Sequence, residues 1–235
     1  MEALHDALSQ AAQDYRVRGV LLQSAGRGFC AGGDIKAGGI SKEAAAVMSL
    51  EDQVQLLRRQ MESAALMHTM PKPTVTALRG AVMGAGVGLA LSGDIRIASP
   101  TLKLETAFRN LGFSGDFGGA YFLTRLGGVS AARGLMMRSH RIDGAEALRL
   151  GLVSELVDDA LLDTHALAVA HELANGPSIA LQHMKRALNA AADGACVSQV
   201  LDLEATAMVR SSKTDDHKEA VRAFMEKRAP QFVGR

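Results

Sequence analysis

Asp116 lies between two phenylalanines and among three glycines in Phe113-Ser114-Gly115-Asp116-Phe117-Gly118-Gly119. Desolvation in such a loop disfavours the ionised carboxylate, and a raised pKa suits it to exchange protons with a weak carbon acid. The same position, at the entrance to a helix, also suits an aspartate that caps the helix. Two glycine loops precede it. In Gly28-Phe29-Cys30-Ala31-Gly32-Gly33-Asp34-Ile35-Lys36 the glycines permit positive φ and let backbone N–H groups face a ligand, although a tight turn capped by Asp34 fits the same residues. Gly80-Ala81-Val82-Met83-Gly84-Ala85-Gly86-Val87-Gly88 opens into a helix, which puts the N–H of Ala85 or its neighbours at the positive helix end. Two converging donors of this kind meet the charge that grows on a carbonyl oxygen, which is what an oxyanion hole requires. The spacing Gly84-x-Gly86-x-Gly88 departs from G-x-G-x-x-G and carries no Lys-Ser/Thr pair, so a nucleotide-phosphate turn fits poorly.

Alternating helical and strand periods must position these loops. Leu4, Leu8, Ala11 and Ala12 share a helical face, and Gly19-Val20-Leu21-Leu22 reads as a short buried strand. A long helix is expected from about Glu43 to Met70, with Leu50, Val54, Leu57, Met61 and Ala65 on its apolar side and Pro71 and Pro73 ending it. Strands are expected at Thr74–Leu78, Ile95–Ala98 and Leu102–Thr106, with the segment from Gly80 read as a turn into a helix that ends near Leu91. Gly112–Gly119 enters another helix, Asp143 is placed to cap a further one, and Leu152–Val157 is strand-like. The C-terminal third reads as helix broken once, at Gly176-Pro177. Strand-turn-helix units with short loops imply an α/β core with parallel strands.

Charge and composition exclude several function classes. Lys and Arg number 26 against 25 Asp and Glu, a balance that supplies no broad basic field for nucleic acid or an anionic membrane. The two cysteines, Cys30 and Cys196, are far apart and read as free thiols in a reducing, cytoplasmic compartment. The uncharged stretch Gly80–Gly93 is too short to span a bilayer, and the opening Met-Glu-Ala-Leu-His lacks the marks of a signal peptide. The segments point to no metal site, and His68 and His140 read as a helix-terminating residue and a surface loop residue rather than as bases.

In this order the three loops resemble the enoyl-CoA hydratase/isomerase (crotonase) superfamily, and the resemblance runs along nearly the whole sequence. Phe29-Cys30-Ala31-Gly32-Gly33-Asp34-Ile35 is similar to the family's first oxyanion loop, and Gly80 to Gly88 followed by Leu89-Ala90-Leu91-Ser92-Gly93-Asp94-Ile95 is similar to the second. Ile142-Asp143-Gly144-Ala145-Glu146-Ala147, Gly151-Leu152-Val153 and Ala223-Phe224-Met225-Glu226-Lys227-Arg228 also agree. The resemblance implies a spiral of β-β-α repeats over residues 1–175 and a helical trimerisation or lid region over 176–235. It implies an acyl-CoA substrate whose thioester oxygen is held by the N–H groups of Gly33 and Ala85, with Ala31, Asp34, Ile35 and Lys36 along the substrate. Phe224 and Lys227 would contact the CoA of a neighbouring subunit in a trimer or a dimer of trimers, and no cofactor would be bound permanently.

The departures from the family pattern sharpen the reading. Hydratases of the family carry two glutamates where this sequence has Gly88 and Phe108, leaving Glu105 as the nearby carboxylate. Asp116 aligns with an acid that phenylacetate-pathway-type isomerases use to move protons and that dehalogenases use as a nucleophile, and the flanks of this sequence resemble the isomerases more. Family members also have two strands and an Asn-Arg-Pro/Asn-Ala-Leu-like segment ahead of the helix with which this sequence opens, so part of the CoA contact is not expected from it. The expected activity is that of an enoyl-CoA isomerase with Asp116 as proton shuttle and Met83, Phe108, Phe113 and Phe117 as apolar lining. A hydratase-like lyase using Glu105, a hydrolase or dehalogenase using Asp116 as nucleophile, and a non-catalytic acyl-CoA-binding protein are the alternatives.

Overall fold

A computed structural model describes residues 1–34 and 47–235. Helix α1 (Glu2–Gln13) leads into strand β1 (Val20–Leu22), and helix α2 (Leu50–Thr69) leads into β2 (Thr74–Leu78). Then come β3 (Ala81–Met83), α3 (Ala85–Leu91), β4 (Ile95–Ala98), β5 (Lys103–Glu105), a 3-10 turn at Phe108–Leu111 and α4 (Gly119–Arg138). The remaining elements are β6 (Ile142–Asp143), α5 (Gly144–Arg149), β7 (Glu155–Leu156), α6 (Leu162–Ala174), α7 (Ser178–Ala192), α8 (Val197–Ser211) and α9 (Asp215–Glu226).

The middle turns of the chain, β2-β3-α3 and β4-β5-α4, each give one strand to each of two sheets and then a helix, while in the last turn α5 separates β6 from β7. One sheet has the order β1-β2-β4-β7, all parallel, and the other has the order β3-β5-β6. Cys30 pairs with Val82 as a single-residue bridge, so the first turn also reaches the second sheet. The second sheet is mixed, because β6 runs antiparallel to β5. The expected parallel pairing holds for β1-β2-β4-β7 and for β3 with β5, and β6 departs from it, entered from the left-handed Ser139 (φ 50°) at the end of α4.

Strand β2 shows how the layers form. Period-two alternation sends Val75 and Ala77 into a cluster with Ile97, Leu162, Ala166 and Ala170, under α6. The opposite face sends Leu78 into the larger cluster between the sheets, with Val82, Val87, Leu91, Leu104, Phe117, Phe122 and Leu123. Its threonines stay polar but partnered, since Thr76 Oγ1 donates to the Ala90 carbonyl at 2.9 Å. Leu8, Met67 and Met70 form a third cluster between α1 and the end of α2.

Several expectations need correction. The short strand β3 occupies residues read as part of a turn, because flanking glycines mask a run of three residues. Leu50, Val54 and Leu57 are not a buried face: they are 70, 56 and 39% exposed, and α2 buries Ser63, Ala64 and Met67 near its other end. That helix starts at Leu50, after Ser49, whose hydroxyl accepts from the Asp52 N–H, and Glu43 to Ala46 of the expected range lie outside the described residues. The C-terminal helical stretch breaks three times, since Asp193–Cys196 and Ser212–Thr214 separate α7, α8 and α9 in addition to the break before α7.

The two ends of the described chain are tied together. Arg18, ahead of β1, donates to the Ser178 hydroxyl at 2.9 Å, the Gly176 carbonyl at 2.5 Å and the Phe232 carbonyl at 3.1 Å. The buried Asp216 carboxylate accepts the Val233 and Gly234 N–H groups at 2.7 and 3.0 Å, which folds the tail back onto α9.

Candidate active site

The first two loops are pinned to one another by backbone. Phe29 N–H donates to the Arg79 carbonyl at 3.0 Å, Cys30 N–H to the Ala81 carbonyl at 3.0 Å, and Met83 N–H to the Cys30 carbonyl at 2.8 Å. Beyond Cys30 the first loop leaves this ladder. Gly84, with φ of 53°, turns the second loop from β3 into α3, and its N–H is used on the Glu105 carbonyl at 3.1 Å. Among the described residues neither the Gly33 nor the Ala85 N–H donates to a backbone or side-chain acceptor. The approach is close enough that a Cβ on Gly86 would stand 2.7 Å from the Cys30 carbonyl oxygen and 2.7 Å from Cys30 Cβ.

The third loop is backed onto α3. A Cβ on Gly88 would lie 2.1 Å from the Phe117 carbonyl oxygen, so that position admits no side chain with the loop in place. The loop turns sharply through Gly115 (φ 120°), Phe117 (φ 47°) and Gly118 (φ 74°). A left-handed φ at a phenylalanine is strained, and the surrounding packing must hold it. Phe117 is buried at 4% exposure, and Gly118, not Asp116, is the N-cap of α4, with no side-chain cap bond. The capping reading of Asp116 is therefore excluded.

Asp116 Oδ1 is buried and has no hydrogen-bond partner among the described residues. Burial pushes the carboxyl pKa upward. An unsatisfied buried oxygen normally costs stability, and such exceptions call for a functional reason. Glu105 is differently placed, since Arg141 Nε donates to it at 3.1 Å and Asn110 Nδ2 at 3.3 Å.

The other expected site residues fall as follows. Phe108 is buried, Met83 half-buried and Phe113 65% exposed, while Ala31 and Asp34 are exposed on the first loop. The Phe108 ring borders both the second and third loops, within 3.9 Å of where Cβ atoms on Gly84 and Gly115 would sit. Phe224 is 82% exposed and Lys227 is the exposed, left-handed C-cap of α9, so neither belongs to the loop cluster. Ile35 and Lys36 lie outside the described residues. His68 ends α2 and His140 is exposed, as expected. Sequence reading missed Tyr121, Arg125 and Asp193, which gather beside the third loop; Asp193 stands 72 and 68 positions from its two partners, and no local pattern marks it.

Two sheets wound as a spiral, with glycine loops gathered beside α3, define a crotonase-type α/β fold. Residues 1–235 match the enoyl-CoA hydratase/isomerase family, and the chain belongs to it, among enzymes that act on acyl-CoA thioesters. It is 36% identical over 235 residues to the 1,2-epoxyphenylacetyl-CoA isomerase of Escherichia coli, covering 99% of this chain and 87% of that protein. It is also 36% identical over 234 residues to a probable enoyl-CoA hydratase of Rhodobacter capsulatus, covering 99% and 85%. The crystal structure of an enoyl-CoA hydratase from Polaromonas sp. JS666 superposes with a TM-score of 0.90 at 30% identity, covering 99% of this chain and 88% of that one. No helix of the described residues is long and apolar enough to cross a membrane.

Proposed function

We propose that this enzyme is an enoyl-CoA isomerase in which Asp116 carries a proton from one carbon of the acyl group to another. The thioester oxygen would lie between the Gly33 and Ala85 N–H groups. The Asp116 carboxylate takes a proton from the carbon beside the thioester, and the electron pair of that C–H bond moves into the conjugated enolate. The same proton returns to a more distant carbon, which shifts the double bond with no other reactant. The buried Asp116 Oδ1, unpartnered among the described residues, carries this reading, because it combines a raised pKa with an oxygen that can meet a substrate hydrogen.

Addition of water is usually served by two carboxylates. Of the two positions where hydratases of the family carry them, Gly88 has no room for a side chain and Phe108 has no proton to give, while Glu105 is engaged by Arg141. The match to the Escherichia coli isomerase points the same way. Coenzyme A enters as part of the substrate, with no resident cofactor. The exposed Phe224 and Lys227 are then available to a neighbouring subunit's CoA in a trimer or hexamer, and the unbonded Cys30 and Cys196 suit a cytoplasmic setting.

The test is a panel of 2-enoyl-, 3-enoyl- and saturated aryl-CoA thioesters in deuterated water, followed by mass spectrometry and NMR. Asp116→Asn should lower double-bond migration and deuterium uptake by about 10²- to 10⁴-fold while acyl-CoA still binds. Retained migration in the folded Asn variant would overturn the reading. Water addition that survives Asp116→Asn and is lost in Glu105→Gln would make the enzyme a hydratase, and a substrate-dependent mass adduct on Asp116 would make it a nucleophile.

A further inference from the structure

The loop that carries Asp116 is held from its far side. Its last residues are also the first turn of α4: Gly119 N–H donates to the Asp116 carbonyl at 3.0 Å, and Phe122 N–H to the Gly118 carbonyl at 2.9 Å. The buried Phe122 ring fills the space beside Gly118, where a Cβ would meet Phe122 Cε2 at 3.0 Å. Phe122 in turn stands edge-on to His68 and to Tyr121, with ring centroids 5.4 and 5.1 Å away.

Tyr121 leads out of this stack to a carboxylate from another part of the chain. Its hydroxyl donates to Asp193 Oδ1, and with its one proton so used it accepts from His68 Nε2, 3.3 Å away. Arg125, one turn further along α4, pairs with the same Asp193 oxygen, lies 4.8 Å over the Tyr121 ring and donates to the Asn189 carbonyl at 3.3 Å. Asp193 follows directly on α7, and α7 is fixed in place. Asn189 Nδ2 donates to the His68 carbonyl at 3.0 Å, and the buried Lys185 ammonium donates to the Met67 and Lys72 carbonyls at 2.9 and 3.0 Å and pairs with Asp94 at 2.8 Å.

We infer that Asp193 is a positioning residue: by gripping Tyr121 and Arg125 it locks the first turn of α4 and keeps the Asp116 loop closed against α3. The inference rests on the reading of Asp116 as the proton carrier. The arrangement is one of geometry rather than of stability, since a partly exposed ion pair contributes little to folding. The groups facing the latch are His68, Tyr121, Arg125, Asp193, Lys185 and Asp94. Burial and the nearby Arg125 keep His68 below its ordinary pKa, and burial with the Asp193 carboxylate pushes Tyr121 up to about 12. Both stay neutral at neutral pH, so Tyr121 goes on donating. Among the described residues burial is the cause that raises the Asp116 pKa. A change in the acid limb after the latch is cut therefore reports on how dry the Asp116 loop remains.

The experiment compares Asp193→Ala, Asp193→Glu and Tyr121→Phe in the full chain, measuring kcat and KM for deuterium exchange across pH and amide exchange at Gly119 and Phe122. Asp193→Ala should lower kcat by about 10- to 100-fold with little change in KM. Its acid limb should move to lower pH as water reaches Asp116, and the two amides should exchange faster. Asp193→Glu should recover most of the rate. Tyr121→Phe keeps the ring on Phe122 and should give a smaller effect of the same kind, which covers the case of an Asp193→Ala variant that fails to fold. A folded Asp193→Ala with unchanged kcat, acid limb and amide exchange, or a variant altered only in melting temperature, would overturn the inference while leaving an inactive Asp116→Asn to uphold the proton carrier. An active Asp116→Asn would bring down both.

Discussion

Around residues 28–34, 80–88 and 113–119 backbone lies against backbone, whereas from Ser178 onward helices meet through long side chains and leave apolar ones outside. In the first region a Cβ at Gly86 or Gly88 would sit on a carbonyl oxygen. In the second, α8 buries no residue, and Val197, Met208, Phe224 and Met225 are each more than 70% exposed. Lys185, Asn189 and Asp193 reach out from α7 to hold it to the spiral. The contrast separates two ways of building: a region made of backbone tolerates the loss of side chains and rejects added atoms, while a region made of side chains does the reverse.

The largest effect should follow from deleting a backbone donor. Gly33→Pro removes the N–H and should lower turnover by about 10²- to 10³-fold, whereas Ala85→Gly keeps the N–H and should stay near wild type. A folded Gly33→Pro enzyme with wild-type turnover would show that the first loop does not supply the donor. Next comes an added atom. Gly88→Ala places a methyl group 2.1 Å from the Phe117 carbonyl oxygen, and denaturant unfolding should show a loss of about 1–3 kcal/mol or more, with activity reduced as the Asp116 loop is pushed away. Equal stability of this variant and wild type would mean that the loop moves aside freely, against the comparison drawn above. The smallest effect on folding should come from the second region. Phe224→Ala removes an exposed ring and should change unfolding by less than about 0.5 kcal/mol, yet it should weaken acyl-CoA binding if that ring completes a neighbouring subunit's site. Unaltered KM across the panel would detach Phe224 from the substrate.

Elements with a short apolar run and clear stops were legible in the residues alone. Thr74–Leu78 and Ile95–Ala98 match the structure residue for residue, one bounded by Pro73 and the other by Asp94 and Pro100. Periodicity misled where neighbours were few: Leu50, Val54 and Leu57 repeat at helical spacing, but the described residues cover that end of α2 only in part. The breaks between α7, α8 and α9 carry no proline, and Gly194 alone marks one of them. At the site, residue type picked out Asp116 but could not decide between a cap and a proton carrier. The Gly118 N-cap of the folded chain removes the cap, and an Oδ1 with no partner among the described residues supports the proposed carrier. The grip of Asp193 on α4 was illegible, because it joins residues about seventy positions apart without any local signature.

The clasp made by Arg18 has a consequence for the order of folding. Among the described residues β1 lies at one edge of its sheet, paired there with β2, and the arginine beside it reaches a carbonyl 214 positions later in the chain. At about 5–20 residues per second of synthesis, that carbonyl leaves the ribosome roughly 10–40 s after Arg18 does. Over that interval the edge of the sheet has backbone N–H and C=O groups without this brace, and open strand edges are where chains pair wrongly with one another. Closing so long a loop adds entropy cost only slowly with its length, so the delay is one of waiting rather than of strength. The growing chain can therefore complete its glycine-loop region first, and it is the seam between Arg18 and the segment around Phe232 that is exposed to misassembly during synthesis.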